Sequence, residues 1–476
     1  MNAYIAYLLL IGTLSFFGYV GYTAANREMD SDTYLSARGT QNWVRIGLSL
    51  FASGMGIWIL FGPSEVGYYG GFWDVVGYAL SASTPFLLLA YVGPMIRQRL
   101  PNGVTLADYV RMRIGRPMQI YVGLISVAYM FTFLFAEFTA IGKAMETLVG
   151  MNPLIPMIAV AVVTASYTAY GGLPASLQTD RWQAWVIIWL IIALLLILFG
   201  ADLGSLISDA KSYNPEDEWS IGSMSYMDSF ASGLALVVAI TSAEMFSQGN
   251  WQRAWASENN EALKKGSLLA AGMVLPLVFV MGVLGTVVAG QGAVGDPSAA
   301  FFYLIDDAGI LLISAFIVLG VALVCSSADT LQNAVVASIS RDLSDGKMEL
   351  SHARMATIAM IPIAIYLAHT MDALSVFGIF LFADLLATAT VLPVLLTLWD
   401  KIDSRASLAG AICGLLAVVV YGTYTGDLSV GMGYLTSPTN EYGLANLNVF
   451  LSALMGSGLV TIGISFILPP KAVDEE

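Results

Sequence analysis

Ser326, Asp329 and Thr330 stand at i, i+3 and i+4 within Leu323-Val-Cys-Ser-Ser-Ala-Asp-Thr-Leu-Gln-Asn333, so a helix there carries all three on one face, with Ser327 next to it. Hydroxyl and carboxylate oxygens gathered in this way suit a hard cation. Ser and Thr by themselves more often satisfy a carbonyl of their own helix; Asp329 favours the ion. A second stretch, Ser49 to Pro63, contains Gly54, Gly56, Gly62 and Pro63. Pro63 lacks an N–H, which leaves a carbonyl about one turn earlier without its helical partner. Carbonyls freed at a broken membrane helix can ligate an ion, although the same glycines also suit a small-residue packing face.

More acids fall inside apolar runs: Glu65, Glu137, Glu244 and Asp384, with Asp180 at the start of another run. No Lys or Arg is expected deep in those runs. Buried carboxylates without a fixed cation must be protonated or must hold a mobile one, so the chain calls for Na⁺ or H⁺. Taken alone, Glu65 or Asp384 reads equally well as a protonated acid bonded between helices. Cys325 and Cys413 make no disulfide framework or zinc spacing, and His352 and His369 make no metal cluster. No Ser–His–Asp or nucleotide motif appears, so neither an enzyme nor a cofactor beyond the coupling ion is expected.

The elements that must position these groups follow from composition. Of the 476 residues, 57% are hydrophobic and 11% charged, against about 25% charged in soluble domains. A bilayer core takes about 20 apolar residues per helix. Thirteen runs qualify: 4–24, 43–70, 73–96, 118–149, 153–171, 181–201, 228–251, 266–290, 309–340, 353–370, 373–398, 406–424 and 446–468. No Lys or Arg precedes the first, which therefore reads as a retained helix rather than a cleaved signal. With the N-terminus outside, every basic residue except Lys143 and Lys211 falls on the cytoplasmic side, and the C-terminus is cytoplasmic. The outer loop carries acids instead, among them Asp202, Asp209, Glu216, Asp217 and Glu218. The net charge of −14 comes with no basic patch, which argues against a nucleic-acid partner.

The fold class expected is an all-α polytopic membrane protein of about 13 transmembrane helices. Its parts are a first helix and cytoplasmic loop (1–42), a five-helix repeat (43–201), an outer loop (202–227), a second five-helix repeat (228–398), and two further helices with a short tail (399–476). Helices two and seven lie an odd number apart, so the topology allows a five-plus-five inverted repeat.

Ordered stretches along the chain resemble the sodium:solute symporter family. They are Asp32 to Arg38, Pro101-Asn-Gly-Val-Thr-Leu-Ala-Asp-Tyr109, Tyr170-Gly-Gly-Leu-Pro-Ala-Ser-Leu-Gln-Thr-Asp-Arg-Trp-Gln183, Gln248-Gly-Asn-Trp-Gln-Arg253 and Ala262-Leu-Lys-Lys-Gly266. Members carry sugars, proline, sialic acid, urea and vitamins, on a leucine-transporter-like fold. The resemblance implies a sodium site on the carbonyls of Ala52, Met55 and Leu323 and the hydroxyls of Ser326 and Ser327. It implies a second cation position at Asp180, Ser326, Asp329 and Thr330. Two positions depart from the pattern: Gly54 stands where proline carriers have an acid, and Leu323 where Ala is usual. Gly-Pro-Ser-Glu65 and Trp251-Gln-Arg-Ala254 lean toward the urea-type branch.

Helix order places Trp58 and Glu137 near mid-depth on helices two and four, with Glu244 and Gln248 on helix seven; these four are the expected solute contacts. The function expected is Na⁺-coupled symport, in the inner or plasma membrane, of a small polar solute such as urea, an amino acid or a related metabolite. The alternatives are an H⁺-coupled carrier and a non-transporting receptor.

Overall fold

A computed structural model of the chain describes residues 3–24, 29–212, 227–305, 309–370, 376–441 and 443–468. The helices run in order α1 (Ala3–Ala24), α2 (Ser31–Ser36), α3 (Trp43–Gly54), a 3₁₀ turn (Ile57–Leu60), α4 (Gly62–Arg99), α5 (Leu106–Ile114), α6 (Arg116–Val149) and α7 (Leu154–Ser212). Then come α8 (Met227–Glu244), α9 (Gln248–Ala256), α10 (Asn260–Gln291), α11 (Ala300–Tyr303), α12 (Ile310–Ser338), α13 (Leu350–Thr370), α14 (Val376–Leu395), α15 (Ser404–Thr425), α16 (Leu428–Tyr434) and α17 (Leu447–Ile467). Among the described residues, 11 helices are long and apolar enough to cross a membrane. Leu311, Trp189 and Val420 stand exposed on the outside of the bundle, as lipid-facing side chains do.

Two of these helices are too long for one crossing. α4 has 38 residues, and Gly71 within it has φ 68° and ψ −157°, a kink where the chain turns back. α7 has 59 residues and bends at Gly172, where φ is 57°. A Cβ at Gly172 would run into the ring and carbonyl of Tyr34, so both the backbone angle and the space require glycine. The turn takes one residue. The chain is therefore helical again by Leu173, with Pro174 in the first turn after the bend, where its missing N–H costs little. This corrects the expected helix start at 181: Asp180 lies inside α7, not at its beginning.

The chain also breaks inside two helices. α3 stops at Gly54 and the backbone runs extended through Gly56 before the 3₁₀ turn. α8 stops at Glu244, and Met245–Ser247 separate it from α9. Pro63 sits in the first turn of α4 rather than at the break. The helices meet closely where glycines allow it: a Cβ on Gly77 would overlap the backbone of Gly233, which joins α4 to α8, and one on Gly285 would overlap Ser64, which joins α10 to α4. α1 lies against α7, while α15 and α17 pair with each other and with α14. Pro215, Glu216, Asp217 and Glu218 of the outer loop, Arg27, and the tail 469–476 with Lys471 lie outside the described residues.

Candidate functional site

The break in α3 and the middle of α12 lie side by side. The Ser326 hydroxyl is 2.8 Å from the Ala52 carbonyl oxygen and 2.9 Å from that of Leu323. Its single hydrogen can serve one of them, which leaves the other carbonyl with a lone pair to spare. Ser327 donates to Glu137 Oε2 at 2.6 Å, and its oxygen lies 3.2 Å from the Leu323 carbonyl. Ala52, Leu323 and Ser326 are fully buried and Ser327 nearly so, while Met55 opens the break beside them. Four of the five positions expected for sodium thus form one oxygen-rich cluster. Clustered carbonyl and hydroxyl oxygens of this kind can ligate a hard cation.

About one turn further along the same face of α12, Asp329 accepts four hydroxyls: Tyr167 at 2.6 Å, Ser176 at 2.6 Å, Thr179 at 2.9 Å and Thr330 at 3.4 Å. Ser176 and Thr179 follow the bend at Gly172, so the reach of α7 toward α12 is set by that turn. Asp180 Oδ2 accepts Ser49 at 2.5 Å and Arg253 Nη2 at 2.7 Å. Arg253 Nη2 also donates to Thr330 at 2.7 Å, and its Nε donates to Ser49 at 2.7 Å. Arg253 and Asp180 are both fully buried. The expectation that no Lys or Arg could pair with the buried acids is therefore corrected. With an unbroken helix seven ending at 251, Arg253 reads as a loop residue. Because the chain breaks at Met245–Ser247 instead, α9 carries Arg253 in between α3, α7 and α12.

Glu137 reaches from α6 into the break of the α3–α4 helix. Its carboxylate accepts the N–H of Ile57 at 2.9 Å and that of Trp58 at 3.3 Å, besides the Ser327 hydroxyl. A Cβ on Gly56 would overlap this carboxylate, so glycine is needed there for the approach. Glu137, Trp58 and Glu244 line one cavity, which holds about 900 Å³ not filled by protein atoms, open solvent at its mouth included. Gln248 does not line it. Its side chain accepts the Leu106 N–H at 2.8 Å and donates to Ser126 at 2.8 Å, tying α9 to α5 and α6. Displacement of α9 by the break removes Gln248 from the face that holds Glu244.

The cavity is aromatic on several sides. Phe133 and Phe380 stack at 4.0 Å, and Trp58 lies 5.9 Å from Tyr78. Its acids are Glu137, Glu244 and Asp384; among the described residues its lining has no Lys, Arg or His. Glu244 accepts Tyr129 at 2.7 Å and Asn250 at 2.8 Å. Asp384 is buried, and its Oδ1 has no hydrogen-bond partner. Tyr129, Asn250 and Arg253 were missed as site residues. Tyr129, Phe133 and Glu137 stand at i, i+4 and i+8, so one helical face carried a readable signal for the first; Asn250 and Arg253 lie in a stretch that resembles the family but carry no such spacing signal, because their place depends on the break.

The family model described as "Sodium:solute symporter family" matches residues 34–414. The chain is 30% identical to the spermidine transporter DUR31 of Candida albicans over 88% of this chain and 79% of that protein. It is 27% identical to sodium/proline symporter 2 of Staphylococcus saprophyticus over 45% of this chain and 43% of the relative. Among solved structures it is similar to a Na⁺-coupled sialic acid symporter in a substrate-bound outward-open state, with TM-score 0.79 and 13% identity over 98% of both chains. It is also similar to Mhp1, a nucleobase-cation-symport-1 family transporter, with TM-score 0.59 and 12% identity over 94% of this chain and 97% of the other.

Proposed function

The chain belongs to the sodium:solute symporter family, and from that premise we propose that it uses Na⁺ to drive the uptake of a small organic amine carrying positive charge, a polyamine or diamine. The observation that carries the solute class is the cavity itself: three carboxylates, one with an unpaired buried oxygen, face aromatic walls with no basic side chain among them. A desolvated anion needs a cationic partner, and aromatic faces attract ammonium groups. The Candida relative is named for spermidine, a solute of this chemistry. The urea and amino-acid solutes expected from the sequence fit the cavity less well, since neither supplies net positive charge unless its side chain does.

In this reading Na⁺ binds at Ala52, Met55, Leu323, Ser326 and Ser327. Glu244 and Asp384 receive ammonium groups while Trp58 and its aromatic neighbours hold the methylene chain. The second cation position at Asp180, Ser326, Asp329 and Thr330 remains a proposal with one change. The guanidinium of Arg253 already lies between Asp180 and Thr330, so a second Na⁺ would sit on the Asp329 side. With α4 divided at Gly71 and α7 at Gly172, we further propose thirteen crossings, an external N-terminus, an inverted-repeat core whose two broken helices correspond, and residence in the inner or plasma membrane.

Uptake of labelled spermidine into proteoliposomes under an inward Na⁺ gradient tests the proposal. Accumulation that collapses when K⁺ replaces Na⁺ is the expected result. Accumulation driven equally by a proton gradient without Na⁺ would overturn the coupling ion, and no amine uptake beside Na⁺-driven uptake of another solute would overturn the solute.

A further inference from the structure

We infer that Glu137 is a specificity-determining residue that excludes solutes bearing a carboxylate, a role that rests on the amine reading above and is separate from the ammonium contacts at Glu244 and Asp384. The break after Gly54 leaves the N–H groups of Ile57 and Trp58 outside the helical ladder, facing the cavity side of the break. Freed N–H groups at a discontinuous membrane helix are the donors that an anionic solute group uses. Here a carboxylate of the protein's own occupies them, at 2.9 Å and 3.3 Å, and the Ser327 hydroxyl is a third donor to it at 2.6 Å. Gly56 is required for that approach, because any side chain there would displace the carboxylate. Glu137 is thus held in place, not free to swing toward a solute.

A solute's α-carboxylate entering beside it meets another carboxyl group held rigidly in place, finds the two N–H donors taken, and has Glu244 and Asp384 across the cavity instead of a cation. Its desolvation is not compensated, which is how a site rejects an otherwise similar ligand. The same solute without the carboxylate meets no such cost. Glu137 therefore separates an amine from the amino acid that contains it.

Matched solutes test this in proteoliposomes under a Na⁺ gradient: putrescine, ornithine (the same diamine with one carboxylate) and ornithinamide (the same bulk, with the charge removed). Wild-type protein is expected to take up putrescine and ornithinamide, with kcat/KM for ornithine about 100-fold lower. In Glu137→Gln the putrescine-to-ornithine ratio is expected to fall about tenfold or more, with ornithine uptake rising. An active Glu137→Gln protein with an unchanged ratio, or one whose ratio falls solely because putrescine uptake drops, overturns the inference. Should that variant not transport at all, the wild-type comparison decides: ornithinamide rejected as strongly as ornithine means exclusion by bulk and overturns it, while acceptance of ornithinamide supports it. Absence of Na⁺-driven uptake for every amine overturns the amine reading and this inference together; putrescine uptake with a failed ratio test overturns this inference alone.

Discussion

At the scale of single residues, the oxygen cluster at the α3 break and the buried ion pair behind it make opposite demands. Ser326 lies between two carbonyls, and its removal takes one oxygen from the proposed ion site. Ser326→Ala is expected to cost about 1–3 kcal/mol of ion binding; the Na⁺ concentration for half-maximal uptake rises about tenfold or more, with thermal stability in the absence of Na⁺ nearly unchanged. Arg253 works the other way, through stability. Deleting it leaves Asp180 buried with its charge unpaired, a loss of about 3–5 kcal/mol. Arg253→Met should lower the unfolding temperature of the purified protein, and adding Asp180→Asn should restore much of it; a single variant as stable as wild type would count against the pair as a structural element. The sequence marked Ser326, Ser327 and Asp329 because their spacing on one helix is visible in the chain. It could not mark Arg253, whose partners lie 73 and 77 residues away and meet it through a break that leaves little trace in hydropathy.

At the scale of elements, the apolar runs fall on helices, since the requirement for about 20 apolar residues is local, but runs two and three join in α4, runs five and six join in α7, and run seven divides into α8 and α9. What was not legible is how consecutive runs join. The polar stretch after Gly172 reads as a loop by composition, yet it is helical, and it brings Ser176, Thr179 and Asp180 to α12. A single left-handed glycine does this, and nothing in hydropathy separates such a bend from a loop. Gly172→Ala tests the element directly. It forces a side chain into a positive-φ position and against Tyr34, which should destabilise the protein by about 1–3 kcal/mol, read as a lower unfolding temperature with a weakened Na⁺ response. The faces of α6 that line the cavity were readable from helical spacing; which other faces they would meet was not, because that is decided by long-range packing.

At the scale of the whole molecule, orientation rests on charge. Cysteines introduced at Lys347 and Glu441, both exposed, should react with an impermeant maleimide from opposite sides of the membrane, Glu441 from outside. Labelling from one side would remove the thirteen-crossing topology. The contact between Ser327 and Glu137 reaches further than either residue. One hydroxyl belongs both to the proposed ion cluster and to the carboxylate that lines the solute cavity. In the proposed reading, an ion drawing on its oxygen would strengthen its donation to Glu137, and the two occupants would exchange free energy through one proton. Such exchange is reciprocal: the factor by which Na⁺ tightens binding of the proposed amine would equal the factor by which that amine tightens Na⁺. Titrations of each ligand at fixed concentrations of the other should return the same factor in the wild type, and Ser327→Ala should shrink both by equal amounts. Coupling between ion and solute would then run through a single hydrogen bond in the wall of the cavity.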